Sequence, residues 1–192
     1  MNLLQVIQQA VDNHNLSSSA QSNIQTWLEA EELPDGTRSS LTELIQGEEW
    51  EELNDRFYKD ITFGTGGMRG RTIGKVMTSA EKGNAGKETT PERPMAGSNA
   101  LNDYTLLRAT MALFNYVKHF LEEEGRFETP KLVIAHDVRH FSRRFCLLAA
   151  SLWNRLGGIS LIFDGPRSTP HLSFTVRRRK AHAGIVITAS HN

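Results

Sequence analysis

The chain has 192 residues, 22 basic and 22 acidic side chains, and a formal net charge of zero. That balance excludes a strongly polyanionic partner as the default, so neither nucleic acid nor an anionic membrane surface is expected. The length suits one domain, or a domain with an extension, large enough to bury a core.

The single cysteine, Cys146, rules out an intrachain disulfide and sits in an apolar helical stretch, as a small core residue would. The N-terminus, Met1-Asn2-Leu3-Leu4-Gln5-Val6, has no basic region followed by a long apolar run. No apolar run approaches the ~20 residues of a membrane span. A cytoplasmic protein is expected.

The first sixty residues read as helices. Leu3, Leu4, Ile7, Ala10 and Val11 recur at helical spacing. Ser18 or Ser19 is placed to cap a second helix carrying Ile24, Trp27 and Leu28. Leu33-Pro34-Asp35-Gly36 is a turn, and Ser40 with Glu43 has the spacing of a capping box ahead of Leu44 and Ile45. Trp50, Leu53 and Phe57 continue an apolar face. Residues 1–59 are therefore expected to be a helical N-terminal extension packed on the main domain; the alternative is a dimerisation or partner-binding arm. Residues 71–101, rich in Gly, Lys, Pro and Thr, read as a long loop or irregular hairpin, a kind of segment that is usually functional or mobile.

Regular alternation follows. A helix from about Asn102 to Glu124 is stopped by Gly125, and Lys131 to Ala135 reads as a buried strand. Ser142 is placed to cap a helix through Leu156, ended by Gly157-Gly158. Ile159 to Phe163 is the next strand. Thr169 as N-cap with Pro170 at the first position opens a helix to about Lys180, and Ala183 to Ile187 is the last strand. This order predicts an α/β fold: a mainly parallel sheet with helices on both faces and right-handed crossovers, preceded by the helical extension. His136-Asp137, Asp164-Gly165 and Thr188 then share the carboxyl edge of the sheet, where ligands bind in open α/β folds. Ser190 follows on that edge.

Several side chains have chemistry to weigh. Gly64-Thr65-Gly66-Gly67-Met68-Arg69-Gly70 is not a Walker A loop, since no Gly-Lys-Ser/Thr follows, and Arg69 stands where G-x-G-x-x-G needs its last glycine. Its glycines allow close backbone approach to a phosphate and Arg69 can clamp phosphate oxygens; the bland reading is a tight turn with a solvated arginine. Ser190 and His191 are neighbours in sequence, which does not make a hydrolase dyad, and no G-x-S-x-G elbow is present. Taken by itself, Ser190 is an ordinary turn serine. His136 and His140 flank a turn, so a zinc site is not expected. Asp137 and Arg139 read as a local ion pair or turn bonds. Arg177-Arg178-Arg179-Lys180 complements the dipole at a helix C-terminus.

Thr188-Ala189-Ser190-His191-Asn192 after a short hydrophobic strand resembles the phosphoserine loop of the α-D-phosphohexomutase superfamily, the phosphoglucomutases and phosphomannomutases. Phe63-Gly64-Thr65-Gly66-Gly67-Met68-Arg69-Gly70 resembles its FGTxGxRG signature. Ile134 to Ser142 resembles its strand followed by D-x-R-x-x-S, and Ser168-Thr169-Pro170 its Thr-Pro step before a helix. The signatures stand in the family's order and cover roughly residues 60–192. The resemblance implies that 60–192 is domain I of a phosphohexomutase, truncated at the catalytic serine loop.

It further implies an isomerase of carbohydrate metabolism that moves phosphate between C1 and C6 of a hexose phosphate through a phosphoserine. Ser190, His191 and Arg69 are then the catalytic residues, and Thr65 and Asn192 bind substrate or phosphate. Mg2+ is bound through the Ser190 phosphate and through ligands outside this chain, and a sugar bisphosphate serves as activator. The implied partners are a sugar phosphate and the missing C-terminal domains, which in the family carry the aspartate, sugar-binding and phosphate-binding loops. The 192-residue chain alone is expected to be inactive and to self-associate through its exposed truncated face. The helical extension looks like the branch of longer phosphoglucomutases and phosphopentomutases. A phosphopentomutase, a non-catalytic binding module on the same fold, and a phosphate-activated hydrolase are the alternatives.

Overall fold

The structure, a computed structural model, describes residues 2–64, 66–84 and 90–188. It divides into two compact units, one reaching Thr105 and one starting at Leu106.

The first unit opens with α1 (Leu3–Asp12), α2 (Ser18–Glu29), α3 (Asp35–Gln46) and α4 (Trp50–Phe57), followed by the short α5 (Ser79–Lys82). Their apolar stripes meet in a core of Ile7, Ala20, Ile24, Leu41, Leu44, Ile45, Leu53 and Phe57, the arrangement expected when i, i+3 and i+4 positions are apolar. Ser17, one residue before the expected cap, closes the N-terminus of α2 by accepting from Ala20 N at 3.2 Å. Ser40 and Glu43 are not a capping box. α3 begins at Asp35, behind Pro34, so both lie inside the helix. Ser40 is buried and donates to Glu81 Oε1 at 2.9 Å, while Glu43 accepts from Ser79 N at 2.8 Å. The capping box belongs instead to α5, formed by Thr78 and Glu81.

The irregular segment after residue 70 is held by polar anchors rather than by a ladder. Arg56 on α4 is fully buried and its guanidinium reaches Glu52 Oε1 at 2.8 Å, Glu81 Oε1 at 2.5 Å, Val76 O at 2.6 Å and Ala96 O at 3.2 Å. Arg71 pairs with Asp55 on the same helix. Backbone bonds from Met95 N to Thr72 O, Leu101 N to Arg71 O and Asn99 N to Arg56 O draw the two limbs of the segment onto α4. Gly74 is required there, because a Cβ would stand 2.0 Å from Arg56 Nη2 and 2.6 Å from Glu52 Oε1.

α6 (Asp103–Glu123) starts in the first unit, where Asn102 and Thr105 exchange side chain–backbone bonds of 3.0 Å in both directions. In the second unit, β1 (Lys131–His136), β2 (Ile159–Ile162) and β3 (Ala183–Ile187) form a parallel sheet in the order β2-β1-β3, with Val133 opposite Leu161 on one side and Gly184 on the other. β1 is central and buried over five of its six residues, which is why it reads as a continuous apolar run. α7 (Ser142–Arg155) connects β1 to β2, and α8 (Thr169–Arg178) connects β2 to β3. Val133 and Ala135 pack against Leu172 and Val176 of α8. The two connections run in opposite directions along the sheet, so right-handed crossovers put α7 on the other face. The expected α/β class, with helices preceding a mainly parallel, two-sided sheet, is what the structure has.

Two helix starts differ in detail. Ser168, not Thr169, is at the N-cap of α8, with Pro170 in the first turn. The N-cap position of α7 is Phe141, in the left-handed region at φ 70°, because Ser142 is already helical and uses its hydroxyl elsewhere.

Candidate functional site

In the second unit the chain steps outward from β1 to β2, then returns past β1 to β3. The order of travel reverses beside β1, and a crevice at the carboxyl ends of such strands is the usual ligand position. β1 and β3 are tied there by Asp137 N donating to Ile187 O at 3.0 Å, which sets Thr188 next to the turn that leaves β1.

That turn explains the D-x-R-x-x-S spacing. Ser142 Oγ donates to Asp137 Oδ1 at 2.6 Å, Arg139 N donates to the same oxygen at 3.0 Å, and Arg139 Nε lies 3.6 Å from Oδ2. One carboxylate thus closes five residues of turn onto the first residue of α7. The expected Asp137–Arg139 pair is present, and the role of Ser142 differs from capping: it donates backward to the aspartate. Phe141 completes the turn with its ring 4.0 Å from that of His140 and 5.9 Å from that of Phe145. A bulky residue at positive φ is a local strain that the surrounding bonds must hold. His136, the last residue of β1, is buried, and its Nδ1 lies 2.7 Å from Asp137 O. The turn after β2 joins the same edge: Arg167 N donates to His136 O at 3.1 Å and Arg167 Nη2 reaches Asp164 Oδ1 at 2.7 Å.

The glycine-rich segment lies in the first unit. Phe63 and Met68 form an antiparallel bridge, Gly64 N donates to Gly67 O at 2.9 Å, and Gly66 has φ 75°. It is a tight hairpin, as four glycines in seven residues suggest. Gly70 lets the backbone pass close to its neighbours, since a Cβ would stand 2.9 Å from Leu101 N. Arg69 is exposed and has no hydrogen-bond or ion-pair partner among the described residues.

Of the residues expected in the site, Arg69 is placed on this hairpin, whereas Thr65, Ser190, His191 and Asn192 lie outside the described residues. Among the described residues no group of three or more His, Cys, Asp or Glu side chains is arranged to hold a metal ion, and no helix is long and apolar enough to cross a membrane. The structure brings His136, Asp137, Arg139 and Ser142 together on one edge. Sequence reasoning missed the anchoring role of Glu52, Arg56 and Glu81. The signal was available in part: Glu52 and Arg56 are an i,i+4 pair interleaved with the apolar Leu53 and Phe57 on a short helix, where a solvated pair has little room.

Comparison with known proteins agrees with this architecture. The family model described as "Phosphoglucomutase/phosphomannomutase, alpha/beta/alpha domain I" matches residues 60–192. The chain is 32% identical over 136 residues to a phosphoglucomutase of Staphylococcus haemolyticus, covering 71% of this chain and 20% of that protein. It is 30% identical over 141 residues to a phosphoglucomutase of Staphylococcus aureus strain MRSA252, covering 73% and 20%. It is 30% identical over 156 residues to a Schizosaccharomyces pombe protein named "Probable phosphoribomutase", covering 81% and 22%. The chain thus spans about a fifth of the length of these relatives. No solved structure matches it significantly. With a parallel sheet whose strand ends carry the D-x-R-x-x-S turn and the β3 exit, and a family match that begins at residue 60 and runs through both, the chain belongs to the phosphoglucomutase/phosphomannomutase family.

Proposed function

We propose that this chain supplies the phosphoserine half of a phosphosugar mutase. Ser190 Oγ carries a phosphoryl group and passes it to a free hydroxyl of a sugar monophosphate. The serine–phosphate bond breaks, a sugar–phosphate bond forms, and the proton of the sugar hydroxyl ends on the serine oxygen. The resulting bisphosphate then returns its other phosphoryl group to Ser190 by the reverse exchange, leaving the isomeric monophosphate. A sugar bisphosphate acts as activator because it charges an empty serine by that same second step. The observation that carries the reading is the Asp137 N to Ile187 O bond of 3.0 Å. It holds the end of β3 at the carboxyl edge, three residues before the TASHN serine.

In this reading Arg69, exposed on its glycine hairpin, takes phosphate oxygens through paired N–H groups, and Thr65, His191 and Asn192 have the phosphate- or substrate-contacting roles that the resemblance implies. Residues 60–192 act as domain I, and residues 1–59 serve as the scaffold of the hairpin: Arg71, directly after Gly70, is fastened to Asp55 of α4. Mg2+ belongs to the reading through the resemblance. The described residues hold no cluster that fits it, and the roles given to the residues above do not pass through it.

The substrate is a sugar phosphate, with glucose phosphate first because the staphylococcal relatives are named phosphoglucomutases. A pentose phosphate is the second reading, favoured by the fission-yeast relative, which is matched over the largest share of this chain among those three. The test is peptide mapping of the full-length protein after incubation with glucose 1,6-bisphosphate. Phosphate is expected on Ser190. Phosphate on another serine, or full mutase turnover in a Ser190→Ala variant, overturns the proposal.

A further inference from the structure

His136 is the only polar residue in the buried stretch of β1, after Leu132, Val133, Ile134 and Ala135, and it is 4% exposed. Its Nδ1 lies 2.7 Å from Asp137 O. A carbonyl oxygen only accepts, so Nδ1 carries the hydrogen and donates it. In the neutral ring this bond fixes one tautomer, with a lone pair on Nε2. That atom is buried, and among the described residues it has no hydrogen-bond partner.

A buried acceptor without a donor costs the fold stability, and native proteins leave few of them. An apolar residue would continue the strand at less cost. Three features of the same place argue that the imidazole is kept for a ligand. Strand alternation puts His136 on the face of Leu132 and Ile134, opposite the Val133 and Ala135 face that α8 covers, so the ring lies beneath the turn leading into α7. Register pairs it with Ile187, the last residue of β3. The turn above it is clamped by Asp137 and contains Phe141 at φ 70°. Uncompensated local costs of this kind collect where function requires them.

We infer that His136 is a positioning residue of the phosphotransfer site: its Nε2 accepts a hydrogen bond from an O–H donor seated at the β1/β3 carboxyl edge when the site is loaded, while its Nδ1 stays donated to Asp137 O. The donor is a sugar-phosphate hydroxyl or a water trapped by the ligand, and the inference rests on the mutase reading above. With the tautomer locked, the ring offers one acceptor in one place, which orients a hydroxyl without taking its proton.

The test uses the full-length protein labelled with 15N-histidine. The expected spectrum shows Nδ1 protonated and Nε2 of the lone-pair type, with the Nε2 resonance moving on addition of glucose 1-phosphate. A shift with glucose 1-phosphate and none with inorganic phosphate identifies a sugar hydroxyl; an equal shift with both identifies a trapped water. The opposite tautomer, or an Nε2 resonance unmoved by either probe, overturns the inference.

Kinetics provide the second arm. His136→Phe is expected to lower kcat about tenfold with KM little changed and the unfolding midpoint not reduced, and His136→Gln, which restores an acceptor, to recover most of the rate. Wild-type kcat in the phenylalanine variant also overturns the inference, and if that variant does not fold the spectra decide. Failure to find phosphate on Ser190 would instead remove the mutase reading and leave the tautomer and the shift to be judged by themselves.

Discussion

Replacing Arg56 by methionine tests how the irregular segment of the first unit is held. The side chain is fully buried, and Glu52 and Glu81 beside it are each 3% exposed. Methionine keeps most of the volume and removes one positive charge from between two buried carboxylates. It also strands Val76 O and Ala96 O, which accept from the guanidinium at 2.6 and 3.2 Å. Breaking a buried ion pair by deleting one partner costs about 3–5 kcal/mol, set against a total stability of about 5–15 kcal/mol for an ordinary domain. What remains beside the carboxylates is the Arg71 guanidinium, 3.7 Å from Glu52 Oε2, and a set of donors: Lys75 N on Glu52, and Ser40 Oγ, Thr78 N and Ala96 N on Glu81. Arg71 is shared with Asp55 and does not reach Glu81, so these moderate the loss without replacing the Arg56 charge.

The assay is urea unfolding with hydrogen exchange read on peptides from 71–84 and 90–101, which are expected to lose protection together. Neutralising one acid in the same chain, Arg56→Met with Glu52→Gln, should recover part of the loss, because the two residues share one network and their effects do not add. A loss below about 1 kcal/mol in Arg56→Met would refute the reasoning, since it would equate the cluster with a solvated surface pair.

Two further outcomes separate function from folding. Arg69→Ala is expected to cost roughly 2–4 kcal/mol of transition-state stabilisation in phosphoryl transfer, read as kcat/KM, with an unchanged unfolding midpoint because the side chain is exposed; wild-type turnover would reduce Arg69 to a turn residue. Burial pushes the Cys146 thiol above its ordinary pKa, against a weaker lowering by Arg143, so native protein is expected to react slowly with a thiol reagent and urea-unfolded protein quickly. With the folded pKa raised, the thiol's contribution to stability is complete below the unfolded pKa and is lost as pH rises through the folded one.

Much of the second unit was legible because its determinants are local in sequence. β3 has the bounds that its apolar run predicts, and β1 and β2 differ by one residue at one end. Short β-rich apolar runs, with Pro130 ahead of β1 and Gly157-Gly158 ahead of β2, leave little room for another reading. Ser142 was misread because a serine ahead of an apolar helical run is equally suited to capping, and only the tertiary turn shows its hydroxyl spent on Asp137. Ser40 with Glu43 satisfied a spacing rule inside a helix that had already begun at Asp35. Residues 71–101 were illegible for a different reason. Their positions depend on bonds such as Arg56 to Val76 and Glu81 to Ala96, between residues far apart in the chain, and such anchors leave no period to read. The TASHN serine lies outside the described residues; its expected chemistry rests on resemblance, and the order of elements supports only the expectation of a place at the sheet edge.

The arginines around α4 show how the structure distinguishes roles that the sequence presents as equal. Arg56 spends all its guanidinium N–H groups inside the fold, on Glu52, Glu81, Ala96 O and Val76 O, so none is left for a ligand. Arg71 is partly exposed but shared between Asp55 and Glu52, which fixes it as a brace on the segment that leaves the hairpin. Arg69, two residues earlier, is exposed and unpartnered among the described residues. A phosphate-binding arginine needs free donors on a backbone that does not yield when the anion arrives. In the proposed mutase reading, Arg56 and Arg71 supply the fixed backbone and Arg69 supplies the donors. That division of labour places the N-terminal helices within the functional argument: without α4 and its acids, the glycine hairpin would keep its turn and lose the brace behind Arg69.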